Sequence, residues 1–382
     1  MASNGLQVRL LEDGMAAIAR DAWNRLGCTG FPCLRHEFLL ALEEGGCLGD
    51  RVGWFPLPLT LTDPSGELLA ALPLYLKSNS FGEFVFDWAW AEAHERAGRT
   101  YYPKLVAASP FTPATGPRLL VRPDLREPAL VARLIGAAIE AARSLGVSSL
   151  HWLFPTDDEL TQAPGLLRRT GCQFHWENPG YQSFEHFLAA LTAKRRKEIQ
   201  RERRRVREAG VELVPLAGEE VSAREWAAFH ALYRDTFDRH GNFPALTLAF
   251  FRQLAATLGS RVRLVLARRA GEIVAAAYFL VGDDALYGRY WGCREEIPGL
   301  HFEACYYQGI EFCIARGLRR FEPGAQGEHK ISRGFLPART ASCHWLAHED
   351  FRAPVARFLQ REAAMMDDYI RRMGERSPYR QA

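Results

Sequence analysis

One unit of this chain occurs twice, and the two copies align without a gap. Ile139-Glu140-Ala141-Ala142-Arg143-Ser144-Leu145-Gly146-Val147 leads into Leu150-His151-Trp152-Leu153-Phe154. Ile310-Glu311-Phe312-Cys313-Ile314-Ala315-Arg316-Gly317-Leu318 leads into Phe321-Glu322. Ile139 aligns with Ile310 and Gly146 with Gly317, the same offset of 171 residues at both ends. Each glycine stands just past an amphipathic run, at the position where a left-handed backbone closes a helix. Each copy also follows a hairpin pattern. Trp54 to Leu61 alternates outward, Asp63-Pro64-Ser65-Gly66-Glu67 turns, and Leu68 to Leu76 returns. Val262 to Arg268, Arg269-Ala270-Gly271-Glu272 and Ile273 to Val281 repeat that order. The turns at Gly66 and Gly271 are 205 residues apart, so the first half holds 34 extra residues between hairpin and helix.

A chain of 382 residues is long for one hydrophobic core. The repeat divides it into two domains of one α/β type, mixed α+β in element order, bounded here as 1–180 and 181–382. The extra residues fall near 78–117 and are rich in aromatics, among them Phe81, Phe84, Phe86, Trp88, Trp90, Tyr101 and Tyr102. A long insert of that kind is expected to cover something or to act. After the first domain, Leu188, Leu191, Ile199 and Val206 recur at helical spacing and predict one helix through 188–208. Lys194 to Glu208 holds nine basic and three acidic residues, a local +6 in a chain whose net charge is +3. An anionic partner would be drawn to that locus rather than to the whole surface. Arg201, Arg204 and Arg205 are the residues expected to meet it, by forking guanidiniums onto phosphates. The alternative is a solvated face with Glu198 and Glu202 paired to arginines one turn away.

Charges at Arg9, Glu12, Asp13, Arg20 and Asp21 interrupt any leader-like apolar run, and no stretch is long enough to insert in a membrane. A cytoplasmic location is expected. The eight cysteines are scattered with no Cys-x-x-Cys pair, which fits small buried hydrophobes.

Chemistry concentrates between Tyr287 and His348, where ionisable and aromatic residues stand among glycines. Glu303, Glu328 and His329 are candidates for a base that takes a proton from an attacking amine. Arg239, His240, Tyr290 and Arg333 are candidates for holding a substrate. Gly324 and Gly327, in Pro323-Gly324-Ala325-Gln326-Gly327, could aim backbone N–H groups at a carbonyl oxygen. Helix capping and an ion-pair network of Glu322, Glu328, Lys330 and Arg333 are the structural alternatives. His301, Glu303, Glu328 and His329 match no metal-ligand spacing, so no metal is expected. Gly-x-Ser-x-Gly, P-loop and Rossmann fingerprints do not occur.

Several stretches together resemble the FemAB-like N-acyltransferases, a branch of the GNAT superfamily labelled peptidoglycan biosynthesis or recognition. They are Leu74 to Ser78 with Gly82 to Trp88, Tyr101 to Leu105, Pro110 to Pro113, Arg239-His240-Gly241, and Trp291-Gly292 through His344-Trp345. The resemblance implies tandem GNAT-like domains in a FemAB-type architecture; the residues between Tyr287 and His348 put the expected chemistry in the second. It implies an enzyme that moves an acyl or aminoacyl group from a thioester or ester to a small-molecule amine. Acyl-CoA is one expected donor substrate and aminoacyl-tRNA the other; a non-catalytic ligand-binding module is the remaining alternative. GNAT enzymes hold the CoA pyrophosphate with Gln/Arg-x-x-Gly-x-Gly/Ala, whereas the corresponding Cys293-Arg294-Glu295-Glu296-Ile297-Pro298-Gly299 carries one glycine and two acids.

Overall fold

A computed structural model describes residues 5–325 and 327–380. The described chain divides into two compact units. Unit 1 takes the described residues up to Gly171 together with Arg339–Asp367, and unit 2 takes Cys172–Ala338 with the described residues from Asp368 onward. The units are therefore not the contiguous halves 1–180 and 181–382. The sequence periodicity could not show the difference, because it arises from one late strand pairing with an early one.

The strands of unit 1 are β1 (Gln7–Leu10), β2 (Trp54–Pro56), β3 (Leu59–Thr62), β4 (Leu68–Leu72), β5 (Leu74–Lys77), β6 (Lys104–Ala107), β7 (Leu120–Val121) and β8 (Ser149–Leu153). Next comes β9 (Leu167–Glu177), whose last residues serve unit 2. Unit 2 continues with β10 (Val211–Ala217), β11 (Val262–Arg269), β12 (Glu272–Val281), β13 (Ala285–Cys293) and β14 (Arg320–Glu322). Finally β15 (Leu336–Leu346) returns to pair with β8, Ser342 opposite Leu153 and Leu346 opposite Ser149.

Both units repeat one topology. In unit 1, β2, β5 and β6 pair antiparallel, β6 and β8 parallel, and β8 and β15 antiparallel. In unit 2, β11, β12 and β13 pair antiparallel, β13 and β14 parallel, and β14 and β9 antiparallel. The parallel pairs need a crossover, and the predicted helices provide it as Pro128–Ser144 and Gln308–Arg316. Gly146 (φ +64°) and Gly317 (φ +65°) end them in the left-handed region, as the repeat predicts.

The first hairpin is longer and more broken than its pattern suggests. β3 and β4 lie in a four-stranded sheet of order β1-β3-β4-β7, while β2 and β5 belong with β6. Pro56 and Pro58 on the way out and Pro73 on the way back mark the crossing. Proline has no N–H for a ladder, so the strands part there. The Asp63 carboxylate closes the tip by accepting the N–H groups of Ser65 (2.9 Å) and Glu67 (2.8 Å).

The basic segment is two helices, Phe184–Ala190 and Ala193–Glu208. Leu191 leaves helical geometry to bridge Tyr379, and the Thr192 N–H donates to the Pro378 carbonyl at 2.9 Å. The insert at 78–117 is not only a cover. It supplies the helix Trp88–Arg96 and β6, which lies between β5 and β8. Unit 1 buries Leu59, Leu72, Leu105, Leu134 and Leu150 in one cluster, and unit 2 buries Trp176, Phe187, Ile199, Leu286 and Phe321 in another.

Candidate active site

β13 and β14 stay paired only from Ala285 opposite Arg320 to Tyr287 opposite Glu322. Beyond that point β13 runs on to Cys293, while the other chain turns away through Pro323 and Gly324. Two parallel strands that part at their carboxyl ends leave a crevice, the usual place for a ligand in an α/β sheet. A register shift at Tyr278/Phe279 sharpens the parting by leaving Arg289 as an extra residue between Gly288 and Tyr290. The resulting cleft holds about 290 Å³. Tyr278, Tyr290 and Trp291 wall it from the strands, His301, Cys305 and Tyr306 from the following helical turns, and Gly324, His329 and Lys330 from the far side.

The helical wall is unusual in one respect. Glu303–Tyr307 forms a π-helical turn, a widened geometry that recurs at functional sites. Tyr306 and Glu303 leave that turn for different surroundings. The Tyr306 hydroxyl lies 2.9 Å from His329 Nε2. Glu303 is buried, and both of its oxygens are held by Arg203 at 2.9 and 3.0 Å, with the Gln308 amide donating at 2.9 Å.

The charges around the cleft set the protonation states. Burial lowers the His329 imidazole, and Lys330 and Arg333 lower it further. Burial, then His329 and Lys330, bring His301 down to about 4. Burial raises the Tyr306 phenol above its ordinary value. Burial also lowers Lys330 to about 8, and its ammonium donates to the Gly324 carbonyl at 2.7 Å. At neutral pH the cleft thus presents an uncharged imidazole in hydrogen-bond contact with a protonated phenol. His329 is the solvent-exposed member and can exchange protons with a ligand.

The remaining candidates separate. Tyr290 and Gly324 line the cleft with His329. Gly327 stands beside it at φ +118°, and a Cβ there would come within 2.4 Å of the His329 ring. Gln326, in the same turn, lies outside the described residues. Arg333 is buried against Glu202 (2.5 Å), lies 3.3 Å from the Phe302 ring centre and donates to the His329 carbonyl at 2.8 Å. It holds the His329 turn from behind and is not on the cleft wall. Glu328 is exposed and bound to Tyr369 (3.1 Å) and Arg376 (2.6 Å). Arg239 donates to the Cys293 carbonyl at 2.8 Å, and it and His240 are exposed outside the cleft. Arg201, Arg204 and Arg205 face solvent, with Arg204 3.7 Å from Glu208. Tyr306 and Lys330 have no place among the sequence candidates for the reaction, and only the density of aromatics around Tyr306-Tyr307 hinted at them. Among the described residues no His, Cys, Asp and Glu gather as a metal site.

The sequence pattern of the FemAB-like family, described as peptidoglycan biosynthesis/recognition, matches residues 14–381. The chain belongs to the FemAB-like family. No curated protein matches this FemAB-like chain. Among solved structures it is similar to FemX, with 10% identity over 80% of this chain and 91% of that one, at a TM-score of 0.50. It is similar also to L-PGS from Bacillus licheniformis, with 11% identity over 85% and 96% of the two chains, at a TM-score of 0.50. A tandem GNAT protein from the clavulanic acid biosynthesis pathway aligns with 12% identity over 90% and 99%, at a TM-score of 0.47. At these identities the likeness is one of fold. The fold, shared with FemX and L-PGS, is a tandem of two units of one α/β topology. Among the described residues no helix is long and apolar enough to cross a membrane.

Proposed function

We propose that this FemAB-like protein transfers an acyl or aminoacyl group to an amine in the unit 2 cleft. The observation that carries this is the His329 imidazole 2.9 Å from the Tyr306 hydroxyl on the cleft wall, with partial burial and neighbouring positive charge favouring its neutral form. A neutral amine attacks the carbonyl carbon of a thioester or ester, and the new C–N bond makes a tetrahedral intermediate. His329 takes the proton that the nitrogen sheds. With Nε2 carrying its own proton toward the Tyr306 oxygen, Nδ1 is the basic atom and the phenol proton is free. As the C–S or C–O bond breaks, Tyr306 gives that proton to the leaving sulfur or oxygen, and His329 restores it. Trp291, Tyr278 and Tyr290 exclude water from the reacting carbonyl.

The donor is better read as the ester of a large polyanion than as acyl-CoA. Glu295 and Glu296 stand in the loop where a GNAT enzyme would hold pyrophosphate, and Glu295 is only loosely paired to Arg269 (3.3 Å). Arg201 and Arg205 make no ion pair among the described residues, and they suit a phosphate backbone better than one small ligand.

The test is to incubate the full chain with charged tRNA and with a series of acyl-CoAs, offer a mixture of amines, and identify acylated products by mass spectrometry. Product with charged tRNA, lost in His329→Ala and Tyr306→Phe, supports the reading. Tight donor binding without product from any donor would instead mean a ligand-binding module.

A further inference from the structure

Unit 1 exposes large apolar side chains where a folded surface would ordinarily cover them. Phe81 is 67% exposed, and Phe84, Phe86 and Trp88 from the same insert are also exposed. The Phe86 and Trp88 rings lie 4.9 Å apart, and Phe81 and Trp88 6.3 Å. Met365, 74% exposed, and Phe358 come from the helix Glu349–Glu375. Arg169 ties the two groups together. Its Nη1 donates to the Phe86 carbonyl at 2.5 Å, and its Nε and Nη2 fork onto Glu362 at 2.8 and 2.7 Å. Phe358 stands one turn before Glu362 and Met365 one turn after it, so the apolar groups flank one anchored arginine.

The loop is built to keep those rings outside. Glu83 and Asp87 alternate with the aromatics and point the other way, onto the buried Lys104 ammonium at 2.9 and 2.5 Å. Ser80 donates to Asp87 at 2.5 Å from the same side. Phe84 sits at φ +61°, a region that bulky residues seldom occupy and that costs energy to hold. A loop free to collapse would turn its phenylalanines inward. This one is pinned by a buried ion cluster with its rings in water. Patches of this kind mark contact surfaces.

Charge says what the contact is. Arg357 and Arg361 are exposed on the same helix, and neither makes an ion pair among the described residues. The acid at the edge of the patch is Glu92, one turn beyond Trp88. Exposed Trp and Phe beside unpaired arginines match the boundary between lipid headgroups and acyl chains. We infer that this face of unit 1 seats the protein on a bilayer containing anionic lipid, the rings entering the headgroup boundary and Arg357 and Arg361 meeting lipid phosphates. The inference stands apart from the chemistry proposed for unit 2.

The test is co-sedimentation of the full chain with vesicles of phosphatidylcholine alone and of phosphatidylcholine and phosphatidylglycerol in equal parts. Binding should favour the anionic vesicles and should fall at least about tenfold in Phe81→Ser/Phe86→Ser/Trp88→Ser. Arg357→Gln and Arg361→Gln should each cost about fivefold, on the anionic vesicles only, and high salt should erase that loss. Glu92→Gln should strengthen binding. Because both arginines are solvent-exposed, their variants decide the matter even if the aromatic variant folds poorly. Failure of the native chain to bind either vesicle overturns the inference. So does light scattering that shows a dimer which the aromatic variant converts to a monomer, since the patch would then be covered by a second copy.

Discussion

The same point of the same topology is open in unit 2 and filled in unit 1. Past β13 and β14 the strands part around a cleft of about 290 Å³. Past β6 and β8 the chain from Ala108 to Ala114 is buried throughout. Phe111 packs its ring 5.6 Å from Trp54. The fully buried Arg118 spends its guanidinium on the carbonyls of Leu153 (2.8 Å), Pro117 (3.0 Å) and Ala114 (2.9 Å). Leu153 is the last residue of β8, so the guanidinium ties the segment after β6 to the strand end where unit 2 leaves room. The ionisable groups divide in the same way. In unit 1, Lys104, Asp87, Tyr101, His151 and His344 form a closed network, with His151 and His344 joined through their Nδ1 atoms at 2.6 Å. In unit 2, His329 and Tyr306 form a pair that solvent can reach. Unit 1 closes its polar residues at this point into a buried network, whereas unit 2, which buries Glu303 and Arg333 elsewhere, leaves His329 exposed on a cleft, and that difference supports the proposal that places the reaction in unit 2.

The largest effect should come from breaking the closed network. Lys104→Met leaves Asp87 and Glu83 buried without their cation, and should cost about 3–5 kcal/mol in chemical denaturation of the full chain. Lys330→Met, whose ammonium serves one carbonyl, should cost much less; equal losses would erase the contrast. Phe111→Ala removes a buried ring of the segment that follows β6, packed against Trp54, and should cost about 3 kcal/mol in the same assay. A negligible loss would show that the segment merely lies over the strand ends. His329→Gln should leave denaturation almost unchanged and slow product formation about 100-fold, equivalent to about 2.7 kcal/mol. Near-native rates would remove the chemistry from the cleft.

The smallest effect is the pH profile. His329 is held below its usual 6.5 by burial, Lys330 and Arg333. Protonation removes the base, so kcat/KM should be level through neutral pH and fall about tenfold per unit once the imidazole is mostly charged. Lys330→Gln removes a nearby positive charge and should move that acid limb upward. An unmoved limb would assign it to another group. In unit 1 burial raises Glu83 to about 7 from 4.5. A raised carboxyl disfavours the folded state as pH climbs through that window, so Glu83→Gln should flatten the decline in stability between those values.

Elements specified by local chemistry were legible in the chain. Gly146 and Gly317 end their helices, and Gly271 (φ +82°) turns the second hairpin, because glycine enters the left-handed region at little cost. The break at Leu191 and Thr192 was hidden, since it depends on Pro378 and Tyr379 at the far end of the chain. Glu303 looked like a base for the same reason: Arg203, which neutralises it, lies 100 residues earlier. His329 could be singled out by its type among glycines, but not its partner, because a tyrosine reads as core until a three-dimensional neighbour shows otherwise.

The late return of β15 bears on how the chain is made. β8 ends at Leu153, and the residue that pairs with it, Ser342, leaves the ribosome about 190 residues later, roughly 10–40 s at ordinary elongation rates. Through that interval unit 1 has one edge unpaired while the Cys172–Ala338 part of unit 2 is being synthesised. Nascent unit 1 is therefore the stage most open to strand-pairing mistakes and to chaperone capture, and a ribosome stalled before Ser342 would hold a unit that lacks its closing strand.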